Sequence, residues 1–210
     1  MVKVKLCGIT NDKDAGWAAG LGVDFMGFNF FKDSPRAISD ANAKIIIAKL
    51  PPFISTVGVF VDEDIKEIKR IVKKTGIKIV QLHGSESVAY VAELKNSIPG
   101  IEIIKAFRMK GEETLSEIPA YDVNYYLLDA YVEGVPGGTG AVFNWELAAR
   151  AKDFGKPVIL AGGITPRNVA AAIEKVKPFC VDAASGVERL PRRKDYDLVH
   201  ELLERVREAR

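Results

Sequence analysis

Short apolar runs with β-type composition recur along the chain at regular intervals, and between them lie stretches with helical periodicity. The apolar runs are Val4–Cys7, Phe25–Phe30, Ser55–Val61, Ile79–His83, Ile103–Phe107, Tyr125–Asp129, Val158–Ala161 and Phe179–Asp182. They read as strands because they are brief, rich in branched and aromatic residues, and bounded by turn-forming positions. The clearest helix is "DEDIKEIKRIVKKTG", in which Ile65, Ile68, Ile71 and Val72 share one face and Gly76 supplies a stop. "TPRNVAAAIEKV" suggests a helix with Thr165 as N-cap and Pro166 in the first helical position. "YDLVHELLERVREAR" predicts a terminal amphipathic helix with His200 facing solvent.

Eight strands alternating with eight helices in 210 residues give the count of a (β/α)8 barrel, one parallel-stranded domain over residues 1–210. A doubly wound open sheet is the competing α/β arrangement. Its glycine-rich fingerprint would follow the first strand, where only Gly8 stands. The glycines cluster late instead, at 137, 138 and 140, at 162 and 163, and at 186. In barrels the loops after the last strands commonly build a phosphate site.

Composition narrows the partners. Thirty basic against 28 acidic residues, net +2, give no polybasic surface for nucleic acid. No apolar run approaches the roughly 20 residues of a membrane span, and residues 1–9 lack the apolar core of a signal peptide. Two cysteines make neither a disulfide framework nor a metal cluster. The expectation is a cytoplasmic protein with reduced thiols, needing no metal and no redox cofactor. The pattern is compatible with a monomer or a homodimer.

Barrel chemistry sits where strands end. The polar residues there are Cys7, Asn29, Asp62, His83, Arg108, Asp129 and Asp182. If Cys7 points into the barrel mouth, strand alternation points Lys5 inward one layer below. A buried lysine needs a partner, and closure of the barrel makes Asp182 of the last strand the natural one. Such a pair would hold a positive charge near Cys7 and favour its thiolate. A small buried apolar role is the competing reading of Cys7, and the expected role of Cys180. The loops holding "VPGGTG" (Gly138, Thr139, Gly140), "LAGGIT" (Gly162, Gly163) and "AASGVE" (Ser185, Gly186) follow three consecutive strands, and together they suggest backbone N–H groups cradling a phosphate. The first of these loops leads into a helix expected to begin near Asn144. Arg36 of "SPR" offers a bidentate clamp for a carboxylate. An acid and a base on opposite sides of a phosphosugar suit proton-transfer isomerisation.

"KLCGIT", "SPRAI", "VGVFV", "VQLHG", "LLDA", "GGTG…FNW", "LAGGITPRNV" and "VDAASGVE" resemble, in this order and spacing, the phosphoribosylanthranilate isomerases of tryptophan biosynthesis. The resemblance spans essentially the whole chain. It implies an Amadori rearrangement of an aminoaldose to an aminoketose, with Asp129 matching the general acid, Cys7 the general base, Arg36 the carboxylate ligand and the glycine loops the phosphate site. Lys5, His83 and Asp182 are supporting residues in this reading. One departure is Ala184, where the family commonly carries serine. Indole-glycerol-phosphate synthase would want a lysine–glutamate set and an additional N-terminal segment. A ribulose-phosphate epimerase would want metal-binding histidines at several strand ends. A non-catalytic phosphate-binding barrel would have no need of both Cys7 and Asp129.

Overall fold

The structure, a computed structural model, describes residues 1–130 and 145–209. Eight parallel strands close into a barrel in sequence order. They are β1 (Lys3–Cys7), β2 (Phe25–Asn29), β3 (Ser55–Phe60), β4 (Ile79–Leu82), β5 (Glu102–Met109), β6 (Tyr125–Ala130), β7 (Val158–Leu160) and β8 (Cys180–Ala183). The helices are α1 (Asp12–Leu21), α2 (Asp40–Ile47), α3 (Ile65–Thr75), α4 (Val88–Ser97), α5 (Glu112–Glu117), α6 (Trp145–Ala151), α7 (Val169–Val176) and α8 (Tyr196–Glu208). A two-stranded antiparallel ribbon, β9 (Glu188–Leu190) with β10 (Arg193–Lys194), sits outside the barrel between β8 and α8.

Strand alternation divides the core into two clusters. Phe25, Val57, Ile79, Ile104, Leu127, Ile159 and Cys180 fill the barrel interior. Their strand neighbours Met26, Val80, Ile103, Leu128, Val158 and Val181 point outward and pack beneath the helices. This period-2 division fixes what reaches the barrel mouth, because positions two and four residues beyond an interior residue share its face. Cys7, Gln81, His83 and Asp129 stand in that row.

Helix ends follow local chemistry. Asp64 caps α3 by accepting the Lys66 N–H, and Gly76 ends it at φ 76°. Asp195 caps α8 through the N–H groups of Asp197 and Leu198. Exposed His200 stacks on Tyr196. One boundary differs from the sequence reading. Thr165 is not an N-cap and Pro166 is not helical; α7 begins at Val169, with Asn168 before it. The Asn168 side chain accepts the Thr165 N–H at 2.9 Å and donates to the Gly163 carbonyl at 2.8 Å. That side-chain turn ties down the loop leaving β7 and delays the helix. The expected helix start near Asn144 lies outside the described residues, and α6 is described from Trp145.

Candidate active site

A cavity of about 660 Å³ opens at the C-terminal ends of the strands. Its walls include Cys7, Arg36, Gln81, His83, Asp129, Gly162, Gly163, Asp182, Ser185 and Gly186. Nearly every residue singled out from the sequence is therefore brought to one place. Gly138, Thr139 and Gly140 lie outside the described residues, and Lys5 lies one layer below the cavity.

The floor is ionic. Lys5 Nζ stands 2.9 Å from Asp182 Oδ2, with Lys5 fully buried and Asp182 8% exposed. The two residues are direct register partners across the β1–β8 seam. Burial alone would lower the Lys5 pKa, but Asp182 and Cys7 outweigh it and hold the lysine charged. Gly27 makes room for this cluster. A Cβ there would lie 2.9 Å from Cys7 Sγ and 3.3 Å from Lys5 Nζ.

Lys5 favours the Cys7 thiolate, as expected, but it does not set the net direction. The half-buried thiol is pushed up from its ordinary value, first by desolvation and further by the Asp182 charge. Lys5 and Lys194 oppose this without reversing it. Burial of the sulfur is the larger effect, and Asp182 offsets part of the Lys5 field.

On the opposite wall, Asp129 Oδ2 lies 3.2 Å from His83 Nε2, and His83 Nδ1 lies 2.8 Å from Gln81 Nε2. His83 thus bridges the Gln81 amide and the Asp129 carboxyl through its two ring nitrogens. Gln81 and His83 are two residues apart and share the inward face, which is why the chain runs in line. Among the described residues, two buried side-chain oxygens lack a partner, Gln81 Oε1 and Asp182 Oδ1. Both belong to residues lining this cavity, where unpaired buried polar atoms have a functional explanation.

Arg36 crosses the turn after β1. A Cβ on Gly8, which sits at φ 82°, would overlap the arginine stem. Its guanidinium binds Glu188 through Nε, at 2.9 and 3.0 Å from the two oxygens, and through Nη2 at 2.6 Å. Glu188 Oε1 also accepts from Lys194 Nζ at 2.9 Å, and Lys194 donates to the Ala184 carbonyl at 2.9 Å. Burial would raise the Glu188 carboxyl, but Arg36 and Lys194 hold it below its ordinary range. Sequence reasoning missed Glu188 and Lys194. Glu188 was in view as the last residue of "SGVE", yet nothing in that motif names a partner 152 positions away.

The late loops meet backbone to backbone. Gly162 and Gly163 take φ of 83° and 70°, a region glycine enters without strain. At Gly186 a Cβ would overlap the Ile164 carbonyl oxygen. Among the described residues, the N–H groups of Gly162 and Gly163 donate to no backbone or side-chain acceptor, and Ser185 and Gly186 line the same cavity. Backbone N–H groups of glycine loops at a cavity mouth suit an anion.

Residues 4–205 match the family model described as N-(5'-phosphoribosyl)anthranilate isomerase. The chain belongs to that family. It is 47% identical over 199 residues to the N-(5'-phosphoribosyl)anthranilate isomerase of Geobacter sp. (strain M21), covering 95% of each chain. Among solved structures it is similar to phosphoribosyl anthranilate isomerase from Thermotoga maritima, with TM-score 0.92, 36% identity and coverage of 99% of this chain and 100% of that one. A phosphoribosyl anthranilate isomerase in complex with reduced 1-(o-carboxyphenylamino)-1-deoxyribulose 5-phosphate superposes with TM-score 0.89 and 35% identity, covering 99% of this chain and 100% of that one. The family is thus one of phosphosugar isomerases on a (β/α)8 barrel, the architecture found here.

Proposed function

We propose that this chain converts N-(5'-phosphoribosyl)anthranilate to 1-(2-carboxyphenylamino)-1-deoxyribulose 5-phosphate by general acid–base catalysis, as a cytoplasmic enzyme of tryptophan biosynthesis. The observation that carries the reading is one cavity, in a member of this family, gathering a thiol, a carboxyl, a guanidinium and two glycine loops. Substrate phosphate sits on the N–H groups of Gly162, Gly163, Ser185 and Gly186, and the anthranilate carboxylate on Arg36. The "GGTG" residues Gly138, Thr139 and Gly140 belong to the same phosphate site in this reading.

Asp129 gives a proton to the ribose ring oxygen, and the ring opens to a Schiff base. Cys7 then takes the proton from the second sugar carbon, and the resulting enolamine tautomerises to the ketone. Each role sets a demand. Asp129 must carry a proton before it can donate one, and its Oδ2, 3.2 Å from His83 Nε2, is held in place at the mouth. A thiol whose pKa is pushed up must deprotonate, and the resulting thiolate is the stronger base for it. The fully buried Lys5, charged beside the sulfur, stabilises that thiolate once it forms.

Replacing the thiol tests the assignment. Cys7→Ala should lower turnover of phosphoribosylanthranilate by about 10² or more, a typical general-base contribution. Its affinity for the reduced product analogue, measured calorimetrically, should stay close to wild type. A variant with near-full turnover would remove Cys7 from the mechanism.

A further inference from the structure

Arg36 alone does not explain how a guanidinium is held at one angle over the cavity, nor why binding Glu188 leaves any attraction for a second carboxylate. We propose that Glu188, seated on the buried Lys194, is a positioning residue that aims Arg36 at the substrate's aryl carboxylate and so sets selectivity for an N-aryl group bearing that charge. This rests on the reading of Arg36 given above.

Geometry is the first support. Glu188 occupies the Nε–Nη2 edge of the guanidinium with three contacts of 2.6 to 3.0 Å. Among the described residues nothing hydrogen-bonds Nη1, so that end is left for a ligand. The arginine stem is already confined by Gly8, whose missing side chain it overlies. A guanidinium is planar, so fixing one edge fixes the direction of the others.

Charge is the second. A carboxylate bound along one edge would cancel the arginine and leave nothing to attract an anion. Lys194 restores the balance. Its Nζ is fully buried and 2.9 Å from Glu188, itself only 4% exposed. One carboxylate between two cations leaves the group net positive, and burial protects that field from screening by salt.

The third support is how Lys194 is anchored. It lies on β10, whose backbone is tied to α1 by the Lys194 N–H bond to Asp14 Oδ2 at 2.8 Å. Thr10 Oγ1 holds the intervening turn through the Arg192 carbonyl at 3.0 Å. The β9–β10 ribbon thus carries both members of the support and rests on the loop that follows Cys7.

The test compares two substrates in the full-length protein: phosphoribosylanthranilate and N-(5'-phosphoribosyl)aniline, which lacks only the carboxylate. Glu188→Gln keeps shape and removes charge. It should raise KM for the anthranilate compound about tenfold or more, as misplacement of a positioning group does, with kcat little changed. The kcat/KM for the aniline compound should be unaffected. In an Arg36→Leu background the same change should add nothing. If Glu188→Gln does not fold, Glu188→Asp, which retracts the charge by one methylene, should give the same substrate-selective loss. Equal losses on both substrates, or a loss that adds fully to Arg36→Leu, would overturn the proposal. Arg36→Leu affecting both substrates alike would overturn the carboxylate reading of Arg36 itself, and the proposal with it.

Discussion

At the scale of single residues, Cys7 and Asp129 carry opposed burdens, and the surroundings of each are unequal. Desolvation and Asp182 keep the Cys7 proton on sulfur, while Lys5 and Lys194 limit the effect. The thiolate fraction at neutral pH should therefore be small. Alkylation by iodoacetamide should accelerate with pH, with its midpoint above the free-thiol value of about 8.5. A midpoint near neutrality would mean that the lysines dominate. The second cysteine offers an internal control, since Cys180 is buried in the barrel interior and its thiol is pushed well above its ordinary value. Much of this site could be read in the sequence for one reason: period-2 alternation and barrel closure together determine neighbours. They place Lys5 beside Asp182, and the structure has these two in register at 2.9 Å. The net direction of the Cys7 pKa could not be read, because it depends on how far burial of the sulfur outweighs the field of Lys5. Glu188 and Lys194 were missed because a charged residue in a late loop normally remains solvated. Only the folded ribbon buries both.

At the scale of elements, the strands were readable because interior and exterior faces are both apolar, giving runs too hydrophobic for a loop. The β9–β10 ribbon was not. Glu188, Arg189 and Leu190 show no apolar alternation, and Arg189 and Leu190 are exposed. The start of α7 was misplaced because Thr165-Pro166 is a strong helix signal, and the Asn168 side chain overrides it locally. The same loops yield a prediction. Gly186 lets loop eight rest on the Ile164 carbonyl, so Gly186→Ala must part the two loops that line the cavity mouth. Inorganic phosphate, titrated calorimetrically, should bind at least about tenfold more weakly, a loss of about 1.4 kcal/mol. The far-UV spectrum should be unchanged. Unaltered phosphate affinity would place the anion elsewhere.

At the scale of the whole molecule, acid should be the weak side of stability. Glu188 and Asp195 are held below their ordinary carboxyl values, Glu188 by Arg36 and Lys194 against its burial, and Asp195 by the backbone of α8. Asp40 is lowered to about 2 by its hydrogen bonds to Lys74 and Arg70. A carboxyl whose folded pKa is depressed contributes fully above its unfolded pKa and loses that contribution as pH falls through the folded one. The loss should begin below about pH 4.5 and continue towards pH 2. Denaturation midpoints measured from pH 7 to pH 2 should fall steeply in that window. A Glu188→Gln variant should show a shallower fall. A flat profile would mean that these carboxylates are equally stabilised in the unfolded chain. Across the neutral range the molecule rests on its two apolar clusters, one inside the barrel and one beneath the helices, which do not titrate.

The central claim is that this cavity performs an acid–base isomerisation of phosphoribosylanthranilate. It is tested most directly by following anthranilate fluorescence as the substrate, generated in place, is consumed. Wild-type protein should give fast decay, and a folded Asp129→Asn variant should give decay at the uncatalysed rate. Decay at the uncatalysed rate with folded wild type, or an Asp129→Asn variant as fast as wild type, would contradict it.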